Sequence, residues 1–386
     1  SPSARRFSAS NAFAVVLAPR PAIASPSLHG QALLPPLHAM TRIGAERQLD
    51  GAGWVARASG FLLRNSKLLR AFRGDSLLAG LTLLLVIGGL LPLFVCRFIP
   101  LADLPGNAGA ASLLFDAAFG HGAAAKYYVV NYAPTPYWTA YLFMASVSSV
   151  FDVLVAAKAI VGLLVVLLPL VTMRLLIALR RDPRLGLWAF ALSWEHNLYF
   201  GWVTYLLGMS LALLATAWII ELEKPRDALR VFVLSVLVAL SHIQAVAFLG
   251  LAVLLLLVIS RPFVRSAVNI CLGASGALVP ILPWLAAHLK PGAGGKKAGP
   301  SFSFELHTPS EKLHKFAEYC LDNVPTPSAQ WVMAGVFLLL LLGPAFLAGL
   351  PQRQPVLPAR RGAWVVAVTA CALYFCLLYT SPSPRD

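Results

Sequence analysis

The sequence predicts an all-α protein, a polytopic bundle of transmembrane helices, and three observations carry that expectation. Hydrophobic residues make up 58% of the chain and charged residues only 12%, with a mean hydropathy of +0.74. Soluble domains sit nearer one half and one quarter. The apolar residues fall in long runs, such as SLLAGLTLLLVIGGLLPLFVC (76–96) and VFVLSVLVALSHIQAVAFLGLAVLLLLVIS (231–260). About 20 such residues cross the hydrocarbon core as a helix, which satisfies its own backbone hydrogen bonds where no water can. The third observation is where the cations lie. The formal charge is +15 and the pI about 10.0, but the basic residues cluster in short stretches beside the runs. Insertion topology predicts that arrangement, so the charge does not argue for a nucleic-acid partner. The partner it implies is the lipid bilayer. The five cysteines (Cys96, Cys271, Cys320, Cys371 and Cys376) show neither metal-ligand nor disulfide spacing.

Both ends of the sequence stand apart. Residues 1–39 lack acidic residues and are rich in Ser, Ala, Pro and Arg. They read as a transit peptide or as translated upstream sequence ahead of Met40, with the second preferred, and as disordered in either case. A plasma or inner membrane is therefore expected over an organelle. Cys376–Asp386, CLLYTSPSPRD, resembles one reading frame of a common transposase sequencing adapter. The chain is then expected to be a fragment whose biological part stops near Phe375.

Between these ends the elements follow in order. Residues 40–75 are polar and basic (Arg57, Arg64, Lys67, Arg70, Arg73) and are expected on the cytoplasmic side. The first span is 76–96. An outer loop, 97–136, carries Asp103, Asp116 and His121. The stretch 137–173 reads as one span at 153–173, which keeps Arg174, Arg180, Arg181 and Arg184 inside. A juxtamembrane helix, Tyr137–Phe151, precedes it. Next come an outgoing span at 185–199 and a returning one at 202–220, with a tip at Glu195-His196-Asn197. The run 231–260 would make a single helix of about 45 Å. It is expected to fold as a hairpin of two short helices broken at Ser241-His242-Ile243-Gln244. Spans at 267–287, 331–349 and 363–375 follow, around a second outer loop at 288–330. The transmembrane domain 76–375 thus holds about nine spans.

This topology sorts the polar residues. Six histidines follow Met40 (His121, His196, His242, His288, His307, His314). All fall on the outer side, with Asp103, Glu195, Glu305, Glu311, Glu318 and Asp322. Ionisable groups at membrane level mark functional sites by default. Asp103, in PLADLPGN, could act as a general base or metal ligand for a lipid-anchored substrate, or simply close an Asx-type turn. Glu195 and His196 end a span among Trp194, Tyr199 and Trp202. They could handle a proton or a phosphate, or keep an interfacial turn wet. His242 and Gln244 interrupt a long apolar run, where the plainer role is helix–helix hydrogen bonding. Lys158 lies one turn inside the span at 153–173, where it could snorkel to the interface.

Over about 76–260 the architecture resembles the GT-C-type integral membrane glycosyltransferases, which use polyprenyl-phosphate-linked sugars. Asp103 matches the acidic residue near the start of that family's first outer loop. Asn131-Tyr132-Ala133-Pro134-Thr135-Pro136-Tyr137-Trp138 and the helix after it match the Pro-containing stretch and juxtamembrane helix. Lys158 stands where the family more often has arginine. Two departures are evident: Asp103 is a lone acid where the family has a paired motif, and the Pro stretch lacks its usual preceding His. The resemblance implies Asp103 as catalytic base or metal ligand, Lys158 near the lipid phosphate, and Glu195, His196, His242 and Gln244 around the substrate. It allows a divalent metal ion as cofactor. The competing expectations are a small-solute transporter and a multi-pass membrane protein without catalysis.

Overall fold

The computed structural model describes residues 17–19, 67–120, 124–130, 132, 135–222, 224–260 and 264–288. The spans expected at 331–349 and 363–375, residues 40–66, the loop 289–330 and the segment 376–386 lie outside the described residues, as does His121.

What is described is helical. Helix α1 is Lys67–Gly74 and α2 is Ser76–Val95. Then come α3 (Leu104–Phe119), the single turn α4 (Ala124–Tyr127) and α5 (Trp138–Ser148). Helix α6 is Val153–Ala178, followed by a 3-10 helix at Pro183–Phe190 and the single turn α7 (His196–Tyr199). Helices α8 (Val203–Ile220), α9 (Pro225–Ser241) and α10 (Ile243–Ser260) come next. Helix α11 (Val264–Ala274) runs through a 3-10 turn into α12 (Leu278–His288). Four helices among the described residues are long and apolar enough to cross a membrane: Ser76–Val95, Val153–Ala178, Val203–Ile220 and Val264–Ala286. On α2, Leu83, Leu84 and Phe94 are 62%, 63% and 81% exposed. A bilayer explains such a surface and water does not.

Local chemistry sets the boundaries. Asp75 caps α2 by accepting the Leu78 N–H at 3.0 Å, and Asp152 caps α6 by accepting that of Val155 at 2.8 Å. The stretch 137–173 resolves into the short α5 and the single long α6, as expected. The run 231–260 is broken at His242, whose backbone is extended. Helices α9 and α10 pack on each other and both pack on α8. Gly208 of α8 makes this close approach feasible, since a Cβ there would stand 2.9 Å from that of Ala245 and 3.2 Å from that of Ser241. Small residues serve the same purpose at many membrane helix interfaces.

Two expectations need correction. The loop 97–136 contains the sixteen-residue helix α3. Pro105, Gly106 and Asn107 look like loop punctuation, but Pro fits the first turn of a helix, where its missing N–H costs nothing. The segment 185–199 is not a spanning α-helix. It is the 3-10 helix, a bend and the turn α7. Gly186 lies so close to α6 that a Cβ would stand 3.0 Å from the backbone nitrogen of Met173. Irregular backbone at membrane depth is tolerated when protein covers it. Here the Ser193 hydroxyl donates to the Val165 and Ala189 carbonyls, and the Trp194 indole donates to the Gly89 carbonyl at 3.1 Å. Leu17–Pro19 (β1) pairs antiparallel with Tyr128–Val130 (β2), because an extended segment presents unpaired N–H and C=O groups to any strand that can reach it.

The bundle has two chemically distinct ends. At one, Glu221 after α8 binds Arg174 of α6 and Lys67 of α1, and Arg184 binds Asp75 before α2. Burial works against the Glu221 charge. The hydrogen bonds from Arg174 and Lys67 outweigh it and hold the carboxyl below its usual range. At the other end, the Lys158 ammonium donates to the Cys96 carbonyl after α2. There too the Ala102 and Asp103 N–H groups donate to the Tyr199 and Phe200 carbonyls, and that of Tyr137 to the Ser241 carbonyl. Two clusters fill the space between: Ile160, Val161 and Val165 of α6 with Tyr141 and Met144 of α5, and Ala212 and Ala215 of α8 with Val238, Ala245 and Leu249.

Candidate active site at the end opposite the basic cluster

The site is assembled by the loop between the 3-10 helix and α8. Gly201 adopts φ +80°, and a Cβ on it would stand 2.7 Å and 2.9 Å from the backbone nitrogens of Leu104 and Asp103. Only glycine fits that conformation at that separation without strain. The loop therefore docks directly on the start of α3. The Asn107 amide donates to the Gly201 carbonyl at 3.0 Å, and the Tyr141 hydroxyl donates to Asn107 Oδ1 at 2.8 Å. This buried polar chain ties α3, the loop and α5 into one unit.

Asp103 occupies the N-cap position of α3, with no side-chain capping bond. Its carboxylate instead accepts from Trp202. Partial burial raises its pKa above the usual 3.8, and the Trp202 bond opposes that rise. Glu195 is more enclosed. Desolvation raises its pKa, while the Asn197 side-chain amide donates to Oε1 at 3.0 Å. Glu195 lies within electrostatic range of Tyr205, and Trp202 meets the Tyr205 ring edge-to-face with centroids 6.4 Å apart. His242, at the turn between α9 and α10, stands edge-on to Tyr205 at 5.4 Å and to Tyr137 at 5.3 Å. Burial pushes its pKa down to about 4, so the imidazole is neutral at physiological pH. Its Nδ1 accepts the Gln244 backbone N–H at 3.2 Å.

Asp103 is thus joined to His242 through Trp202 and Tyr205, with Glu195 near Tyr205 and Tyr137 at the far side. Gln244 contributes its backbone to this group. The turn α7 opens at His196, whose side chain is not among those described. Lys158 closes the end of α2 on the Cys96 carbonyl at 2.7 Å. Tyr205, Tyr137 and Asn107 were not singled out from sequence as site residues. The available signal was the spacing of Trp202 and Tyr205, three apart and so on one helical face. Thr135, in the Pro stretch, is buried, and its hydroxyl has no hydrogen-bond partner among the described residues.

Chemically, the cluster combines two carboxyl groups of raised pKa, one neutral imidazole and amphipathic ring faces. A carboxylate poised near a membrane surface can accept a proton from a hydroxyl. Among the described residues no three His, Cys, Asp or Glu side chains converge to hold an ion. Comparison with protein-family models, with curated proteins and with solved structures finds no match to this chain.

Proposed function

We propose that the chain is a GT-C-like membrane glycosyltransferase, moving a sugar from a polyprenyl-phosphate donor to an acceptor on the extracytoplasmic face. The observation that supports this most is the linked group Asp103–Trp202–Tyr205–His242, with Glu195 nearby, at the end opposite the basic cluster. By the positive-inside rule the basic end is cytoplasmic, which leaves this group outside. In this reading Asp103 takes the proton of the acceptor hydroxyl as its oxygen attacks the anomeric carbon. The bond from that carbon to the lipid phosphate breaks, and the phosphate leaves with the electron pair. The Trp202 and Tyr205 rings offer faces to the C–H side of a sugar, and Glu195 and Asn197 offer hydrogen-bond partners to its hydroxyls.

The test is transfer of labelled sugar from a polyprenyl-phosphate donor by the purified full chain. Asp103→Asn keeps shape and removes the base, so the rate should fall by about 10²- to 10⁴-fold with unchanged melting. Undiminished transfer by this variant would remove Asp103 from the chemistry. A second reading, sugar binding without transfer, is favoured by Lys158, whose ammonium is engaged by a helix end and not directed to a phosphate site. It predicts sugar binding that Trp202→Ala abolishes, with no transfer by the wild type.

A further inference from the structure

The basic end carries more charge than its own ion pairs use. Lys67, Arg174 and Arg184 are paired with Glu221 or Asp75. Arg70 and Arg73 of α1 are exposed, and no carboxylate among the described residues lies within ion-pair distance of either. The same is true of Arg180, just past the end of α6. Helix α1 is strongly two-faced. Leu68, Ala71 and Phe72 pack on the Leu78, Met173 and Phe190 cluster. Arg70 and Arg73, three apart, share the opposite face. Gly74 and the cap at Asp75 separate α1 from α2, so α1 is a distinct element braced against the bundle and not the first turns of the span. Its Lys67 is tied to Glu221, 2.9 Å away.

We infer that α1 is a membrane-surface helix whose Arg70 and Arg73 hold the headgroups of anionic lipids in the adjoining leaflet. Short two-faced helices with cations on the polar face and large apolar residues on the other lie at this depth of a bilayer. An anionic surface is the partner that complements two guanidinium groups left without a carboxylate among the described residues, at the border of a spanning bundle, and each such cation strengthens attachment roughly five-fold. The fixed apolar face and the Lys67 tie orient both arginines before any lipid arrives.

The purified full chain, in phosphatidylcholine nanodiscs doped with phosphatidylglycerol, tests this by native mass spectrometry of retained lipid. Wild type should retain phosphatidylglycerol over phosphatidylcholine, and Arg70→Gln with Arg73→Gln should weaken that retention roughly 25-fold. Lys224→Gln with Arg226→Gln, also exposed on the basic end, should change it less than about three-fold. Inorganic phosphate should not compete. Should the double variant fail to fold, each single variant is measured, with roughly five-fold expected. Equal retention by the arginine variants and wild type overturns the inference. So does displacement of the lipid by inorganic phosphate, which would make the site one for a soluble anion.

Discussion

Gly201→Ala is the most demanding test of how the site is held. Alanine at φ +80° costs about 1–2 kcal/mol in backbone strain. Its Cβ would meet the backbone nitrogens of Leu104 and Asp103 at 2.7 Å and 2.9 Å, and backbone cannot move aside as a flexible side chain can. The loop must lift away from α3. Lifting forfeits the Asp103 N–H bond to Phe200 and the Asn107 amide bond to Gly201, each worth about 1 kcal/mol. The sum is about 3–4 kcal/mol, or a melting temperature lower by about 10 °C. Gly250→Ala is the control, since Gly250 sits inside α10 with nothing within 4 Å of a Cβ; it should be neutral or stabilise by up to about 1 kcal/mol. The assay is thermal melting of both variants in detergent, beside retention of whatever ligand or activity the wild type shows. A Gly201→Ala protein melting within about 2 °C of wild type refutes the docking argument.

Trp202→Phe removes the hydrogen bond that favours ionised Asp103 while desolvation remains. Activity that depends on ionised Asp103 rises with pH through its pKa, so this variant should shift the acidic limb to higher pH; an unmoved limb excludes Asp103 as the base. Glu221→Gln leaves the Arg174 charge, 12% exposed, without its carboxylate, and should destabilise the chain by about 3 kcal/mol. The Glu221 carboxyl is held below 4.5, so its contribution is present at neutral pH and disappears as pH falls through that lowered value. Asp75, whose bonds from Leu78 and Arg184 lower its pKa, adds to the same limb. Melting followed from about pH 7 to about pH 3 should show the wild type losing stability at the acid end and Glu221→Gln losing less.

The spans that sequence conveys best are those that stand alone. Ser76–Val95 is apolar all round and Val153–Ala178 is apolar but for Lys158 and Arg174 near its ends, and Asp75 and Asp152 bound them, so length and capping suffice to find them. His242 is equally legible, as a polar interruption that a continuous apolar helix would not choose. Residues 183–200 misled for a physical reason. Hydropathy registers burial from water but cannot tell an α-helix in lipid from irregular backbone covered by two neighbouring helices. Helix α3 was hidden because Pro105 and Gly106 signal a turn unless their place in a first helical turn is recognised. At the site, Asp103, Glu195 and His242 stood out by charge. Their grouping around Tyr205 did not, since it depends on loop docking at Gly201, a contact with Asn107 across 94 residues of sequence.

The irregular crossing of residues 183–194 also bears on how the chain enters a membrane. Its Ser193 hydroxyl reaches Val165 on α6 as well as Ala189 within the segment, but the Trp194 indole has its partner on α2, at Gly89. Alone in lipid the segment would leave that indole unsatisfied, whereas α2 and α6 close their own backbone bonds. Setting those two helices side by side first, and drawing this segment in afterwards, is the order of insertion that keeps the indole paired as the wall under the site loop is completed.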